Sequence, residues 1–314
     1  MIRKNTVFIL GAGASADFNY PIGYKLRDAI CHNLKDNRPN AEKIAKALAE
    51  DEEDVPYIAD AVQKFRDSFY YSSESTIDAF IQNNYEAYGN IAKLAIAQVL
   101  VEVEDDEALH ANPQKNWYMN LYKAMRTNPP DDFHRNNVSF ITFNYDLSLD
   151  QFIHNSLLHS STKINDESCK QILEKIPIIH LYGQLGYLSW QNSEAPREYG
   201  SKKLTGYQFK QMAKNIKTGF DSFDVKSDTK FIKTVQLINE AENIYFIGFG
   251  FDRFNLERLP IRRMTGKYII ATSYYLDANV RKEAAEYFKK FADVNIDFVE
   301  MDSLNFILKT NLCL

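Results

Sequence analysis

The chain has 314 residues, 45% of them apolar and 25% charged, with a formal net charge of −5 at pH 7. This length suits one large α/β domain with an insertion, or two domains, and excludes a small module. The acidic balance argues against general nucleic-acid binding, and no apolar run approaches the ~20 residues of a membrane span.

Arg3 and Lys4 are followed at once by strand-like residues and glycines, so the N-terminus does not read as a signal peptide. Cys31, Cys169 and Cys313 lie far apart and give neither a disulfide framework nor a CxxC zinc knuckle. No histidine pair has ligand spacing, so no metal is expected. The chain fits a reducing cytoplasm.

The first predicted element is the run Thr6–Leu10, a continuous apolar strand of the kind covered on both faces. Gly11, Ala12 and Gly13 follow, and the glycines permit a tight turn with close backbone approach. Ser15 or Asp17 can cap a helix there, whose N-terminal N–H groups would suit a phosphate. The third glycine of a full GxGxxG fingerprint is absent, since Ala16 stands in its place, so a plain strand-to-helix turn is the competing reading.

Residues 24–136 read as a helical insertion. Helical patterns cover 24–34, 41–49, 57–71, 76–103 and 117–125. Two acidic runs, 50–54 and 102–107, read as solvated loops or frayed helix ends.

Five further strands are predicted at 138–143, 177–181, 243–248, 267–272 and 295–300, with helical patterns between most of them. Strands alternating with helices imply right-handed crossovers and a Rossmann-like, doubly wound parallel sheet of about six strands. In such sheets ligands sit beyond the carboxyl ends of the strands, so polar residues there carry the functional weight.

The second strand ends in Thr142, Phe143, Asn144, Tyr145 and Asp146. An amide there can orient a water or a ribose hydroxyl, and a carboxylate can stabilise positive charge. Asp146 is equally suited to cap the helix starting at Leu147. The third strand ends in His180, Leu181, Tyr182 and Gly183. His180 can accept a proton near neutral pH, or it can be a satisfied core residue. The loop-rich stretch 186–205 follows that strand and can lie over a site. The fourth strand ends in Gly248, Phe249, Gly250, Phe251 and Asp252, where Asp252 or Asn255 either caps a short helix or meets a ribose.

In this order, Gly11-Ala12-Gly13-Ala14-Ser15, Thr142-Phe143-Asn144-Tyr145-Asp146, His180-Leu181-Tyr182-Gly183 and Gly248-Phe249-Gly250 resemble the sirtuin superfamily. Pro21 matches the proline that follows the first glycines in that family. Glu74-Ser75-Thr76-Ile77-Asp78-Ala79-Phe80 looks like a signature of the sirtuin-like branch of bacterial antiphage defence proteins. The two CxxC pairs of protein-deacylating members are missing, and no Asp-Phe-Arg follows Pro21. NAD-dependent deacylation is therefore the lesser alternative.

The resemblance implies one domain over 1–314 that splits NAD into nicotinamide and ADP-ribose. It implies Asn144, His180 and Asp146 as the chemical residues. NAD would contact Gly11, Ala12, Gly13, Ser15, Pro21, Thr142, Gly248, Gly250 and Asp252. It further implies a triggered effector of abortive infection, held quiet by a separate sensor or activator subunit, in a homo- or hetero-oligomer. A module that binds NAD or ADP-ribose without cleaving it is the second reading.

Overall fold

A computed structural model describes residues 1–35, 38–191, 194–218, 227–310 and 312. Cys313 therefore lies outside the described residues. Among the described residues eight strands form: β1 Thr6–Leu10, β2 Val138–Thr142, β3 Ile178–His180, β4 Tyr187–Leu188, β5 Pro196–Arg197, β6 Asn243–Ile247, β7 Tyr268–Thr272 and β8 Asp297–Val299. The main sheet is parallel throughout, in the order β3-β2-β1-β6-β7-β8, while β4 and β5 pair separately. Counting main-sheet strands alone, this is the 3-2-1-4-5-6 order of a doubly wound Rossmann sheet. The strand order reverses between β1 and β6.

Side-chain alternation assigns each strand residue to a face. Phe8 and Leu10 of β1, Phe140 of β2 and Tyr245 and Ile247 of β6 enter one core. Val7 and Ile9, Ile141, and Ile244 and Phe246 enter the other. Both faces are thus covered, which explains why these strands are unbroken apolar runs rather than alternating ones.

The first face carries the helical insertion. Its helices are α1 Gly23–Leu34, α2 Arg38–Leu48, α3 Val55–Tyr71, α4 Ile77–Gln82, α5 Tyr85–Val103, α6 Asp106–His110 and α7 Trp117–Met125. The single long helix predicted over 76–103 is instead two. Asn83 and Asn84 break it, and the Asn84 amide donates back to Phe80 O at 2.9 Å. Thr76 caps α4 by accepting from Ala79 N at 3.2 Å, and Ile77 and Phe80 are buried beneath it.

The remaining helices are α8 Ser148–Leu158, α9 Asp166–Leu173, α10 Gly206–Asn215, α11 Thr229–Glu240, α12 Arg253–Glu257, α13 Ala278–Ala292 and α14 Ser303–Lys309. Buried residues of α8, α9, α10 and α14 join the insertion's core. Those of α11, α12 and α13 cover the opposite face. No helix among the described residues is long and apolar enough to cross a membrane.

Candidate active site

Register brings the strand ends together. Leu10 pairs with Thr142 and with Ile247, and Thr142 pairs with His180. The segments that follow β1, β2, β3 and β6 therefore leave the sheet at one edge, next to the point where strand order reverses.

The turns after β1 and β6 pack backbone against backbone. Gly13 N donates to Gly248 O at 2.9 Å, and Gly11 N to Ile247 O at 3.1 Å. A Cβ on Gly11 would sit 2.6 Å from Gly248 O, and one on Gly248 would sit 2.1 Å from Ala14 N. Gly248 also has a φ of +59°. These glycines are required by the contact between the two turns. Ala14 N and Ser15 N donate to Gly11 O and Ala12 O. The N–H groups of Gly11, Gly13, Ala14 and Ser15 are thus already used within the protein.

The helix expected to open at Ser15 does not form. Two short 3-10 turns, Ala12–Ala14 and Ala16–Phe18, occupy the place, and α1 starts only at Gly23. Asn19 ends the second turn with φ +68°, and Pro21 leads into α1. The helix-terminus anion site read from this stretch is therefore absent from the turn. Ala12 stays exposed and Gly13 half-buried at the edge.

Asn144 links β2 to the β1 turn. Its Nδ2 donates to Gly11 O at 2.9 Å and to Ser15 Oγ at 3.0 Å. A carbonyl can only accept, so the amide orientation is determined by this contact. The Asn144 backbone N–H is held by Thr142 Oγ1 at 3.0 Å. Asn144 is half-buried, and among the described residues its Oδ1 takes no hydrogen bond.

His180 is 3% exposed. Its Nδ1 lies 3.0 Å from Asn144 O, and its Nε2 lies 3.2 Å from Asp150 Oδ2. Both ring nitrogens are thus occupied. Lys230 Nζ donates to His180 O at 3.0 Å. Burial, reinforced by Lys217, pushes the Lys230 amine below its ordinary range.

Asp146 begins α8 in the manner of an Asx turn: its Oδ1 accepts from Ser148 N at 3.1 Å and from Ser148 Oγ. Burial raises its carboxyl above the ordinary range, opposed by hydrogen bonds from Ser148 and Ser15 and by His180. The Tyr118 hydroxyl lies 2.8 Å from Ser148 Oγ, and burial pushes its ionisation well up. Helix α7 supports the β1 turn directly, since Trp117 Nε1 donates to Ala14 O at 2.9 Å.

The stretch after β3 covers this polar centre. Gln191 Nε2 donates to Asp150 Oδ1 at 3.2 Å, and the hydroxyls of Tyr199 and Tyr20 meet at 2.7 Å. Arg197 Nη1 donates to Glu104 Oε2 at 2.6 Å in a forked pair whose side chains are 1% and 0% exposed. Glu104 belongs to an acidic run read from sequence as solvated. The structure corrects that reading, because Arg197, Gly200 N and Lys202 surround Glu104. Asp105 of the same run caps α6.

Asn144, Ser15, Asp146, Thr142 and His180 thus meet in one hydrogen-bonded cluster, tied to Gly11. Gly250 and Asp252 lie outside it. Asp252 is exposed and caps α12 by accepting from Phe254 N at 2.9 Å, while Asn255 Oδ1 accepts from the Tyr182 hydroxyl at 2.9 Å. Sequence reasoning missed Asp150, Gln191, Tyr118, Tyr20 and Tyr199. Asp150 alone carried a signal: it stands four residues after Asp146, on the helix face that returns to the sheet.

Among the described residues, no three His, Cys, Asp or Glu side chains gather in a way that could hold a metal ion. No family model matches the chain, and no curated protein matches it.

Proposed function

We propose that the chain binds NAD at the carboxyl edge of its sheet and hydrolyses it to nicotinamide and ADP-ribose. The single observation carrying this reading is the Asn144 contact set. The half-buried Asn144 side-chain amide is locked by the β1 turn, the Asn144 main-chain carbonyl meets His180, and Oδ1 is left to hold a water or a ribose hydroxyl.

Breaking the nicotinamide–ribose bond leaves positive charge on the ribose and a neutral leaving group. Asn144 Oδ1 orients the water that attacks the ribose carbon. The buried carboxylates Asp146 and Asp150 supply a negative potential that stabilises the cationic transition state. As the water attacks, its O–H bond breaks and the proton passes to His180, whose ring must first free one nitrogen from Asn144 O or Asp150, and then to solvent. The pyrophosphate would have to lie outside the close-packed β1 and β6 turns, where Ala12 is exposed. The effector role in antiphage defence, the partner subunit and the cytoplasmic site of action belong to the same proposal through the family resemblance.

A second reading is a module that binds NAD or ADP-ribose without cleaving it. It is favoured by the occupation of both His180 nitrogens. Nicotinamide release and NAD binding, measured on the chain alone and with the product of a neighbouring gene, decide between the two. Release abolished by Asn144→Ala supports hydrolysis. Binding without release under every condition supports the second reading, and neither binding nor release removes both.

A further inference from the structure

A cavity of about 240 Å³ lies between the β4–β5 pair and helix α10, and no residue of the Asn144 cluster lines it. We propose that this cavity binds an uncharged, amino-substituted heteroaromatic base of the adenine class. The site is separate from the NAD edge, and the proposal does not rest on NAD hydrolysis.

The lining divides into paired and unpaired groups. Gln208 is paired. With Thr205 it forms the capping box that starts α10, and its Nε2 donates to Pro196 O at 2.8 Å. Arg197 is paired too, with Leu185 O and with Glu104. These contacts fix the strand pair and set α10 against it. Gln211 and Asn215 follow Gln208 by about one and two turns, on the same face of α10. The side chains of Gln211, Asn215, Tyr187, Tyr207 and Glu194 make no hydrogen bond to any described residue. Polar groups so placed converge on one small volume without a protein partner. Met212 lies between the two amides in sequence, is 1% exposed, and supplies apolar surface. Gly186 has a φ of +76°, and a Cβ there would sit 3.0 Å from Met212 Cγ, so glycine lets the chain close onto that methionine.

Size and charge define the ligand. Pockets for drug-sized molecules measure roughly 300–1,000 Å³. This one is smaller, so it suits one or two fused rings and excludes a whole dinucleotide. Arg197 is the only cation among its lining residues, and Glu104 already neutralises it. A phosphate in the cavity would find no counter-charge and would meet the exposed Glu194. Half-buried Tyr187 and Tyr207, 56% exposed, are the aromatic residues available to a flat ring. Asn and Gln amides pair with an amino group and the adjacent ring nitrogen of adenine, donating to one and accepting from the other. Glu194 only accepts, which also favours an amino N–H.

Calorimetric titration of the full chain with adenosine tests the site. Saturable binding of one adenosine per chain is expected, and no saturable binding overturns the proposal. Gln211→Leu and Asn215→Leu each remove an amide that has no protein partner. Both should keep the wild-type melting temperature and bind adenosine about 10-fold more weakly, the loss of one hydrogen bond. Adenosine held equally well by both variants lies elsewhere, the NAD edge included, and overturns the assignment. Should either variant not fold, Tyr207→Ala at its exposed position takes its place, with the same expected weakening; unchanged affinity overturns the proposal. Inosine carries a carbonyl in place of the amino group, and AMP adds a phosphate. Both should bind several-fold more weakly than adenosine. Equal or tighter binding of inosine overturns the amino-base assignment, and equal or tighter binding of AMP overturns the exclusion of anions. Nicotinamide release plays no part in these readings, so failure of the hydrolase reading and failure of this one are told apart.

Discussion

On one face of the sheet's carboxyl edge, aromatic rings pack against one another. Phe143 meets Phe249 at 5.0 Å, and Phe246 meets Phe288 at 5.7 Å edge-on. Across the same strands, on the insertion face, Ser15, Asp146, Ser148, Asp150 and His180 are buried together with Tyr118, Tyr20 and Tyr199. The aromatic face needs only shape and area to be stable. The polar face is stable only because each group has a partner, since an unpaired buried polar group costs about 1–3 kcal/mol. One side is a rigid support. The other side is a set of hydrogen bonds whose loss leaves buried groups unpaired.

The largest effect is expected on the aromatic side. Phe246 is fully buried, and Phe246→Ala should cost about 3–5 kcal/mol through the cavity it leaves, read as a lower denaturant midpoint. Nicotinamide release per folded molecule should stay near wild type, because no ring of that cluster bonds to the polar centre.

Arg197→Met tests the covering stretch. It strands Glu104 as a buried charge and should cost about 3–5 kcal/mol, much of it recovered in the double variant with Glu104→Gln. A double-mutant cycle in urea measures the coupling. Additive costs would mean that the pair does not hold the stretch down.

Within the polar centre, two residues that looked alike in sequence should separate. His180→Ala leaves Asp150 Oδ2 without its partner and should cost about 1–3 kcal/mol. Asn144→Ala, at a half-buried position, should cost about 1 kcal/mol. Both should lower nicotinamide release, Asn144→Ala by on the order of 10²–10³-fold. Melting curves and release on the same two proteins check this. Equal melting losses would contradict the burial argument.

The smallest effect is a pH dependence at the rim of the covering stretch. His154 stacks on Trp190 at 4.7 Å, and burial holds its imidazole below the ordinary value. A depressed value favours the neutral ring in the folded state. The stabilisation is present above the unfolded value, about 6.5, and is lost as pH falls through the lower folded value. Thermal melts at pH 7.5 and about 5.5 should show wild type losing more stability than His154→Phe, which keeps the stack but cannot be protonated. His110, lowered by the same cause, keeps part of the dependence in the variant.

Much of this edge was legible in the residue string because its parts are local. Thr6–Leu10 followed by Gly11 and Gly13, and Thr142 to Asp146 after an apolar run, each mark a strand and its end within a few residues. The rest was not legible, because partners lie far apart in the chain. Asp150 meets His180 across 30 positions, Glu104 meets Arg197 across 93, and Tyr20 meets Tyr199 across 179. A carboxylate in the run Glu102–Glu107 looks the same in sequence whether it meets water or a guanidinium. The two asparagines that split the 76–103 pattern show the reverse limit: an apolar period persists across a break marked by the Asn84 side chain donating to Phe80 O.

Short segments alone specify the parallel sheet, both of its apolar faces, and the strand-end residues Gly11, Thr142, Asn144 and His180 at the carboxyl edge. Strand period and glycine position are properties of short segments, so they need no knowledge of the rest of the fold. Which partners those residues meet came from packing between segments remote in sequence. It used the glycine N–H groups to join two turns instead of leaving them for an anion. It occupied both nitrogens of His180, and it closed the centre with a stretch anchored on the insertion. Each of these outcomes depends on which acceptor lies about 3 Å from a given donor, and that distance is set by packing between segments remote in sequence.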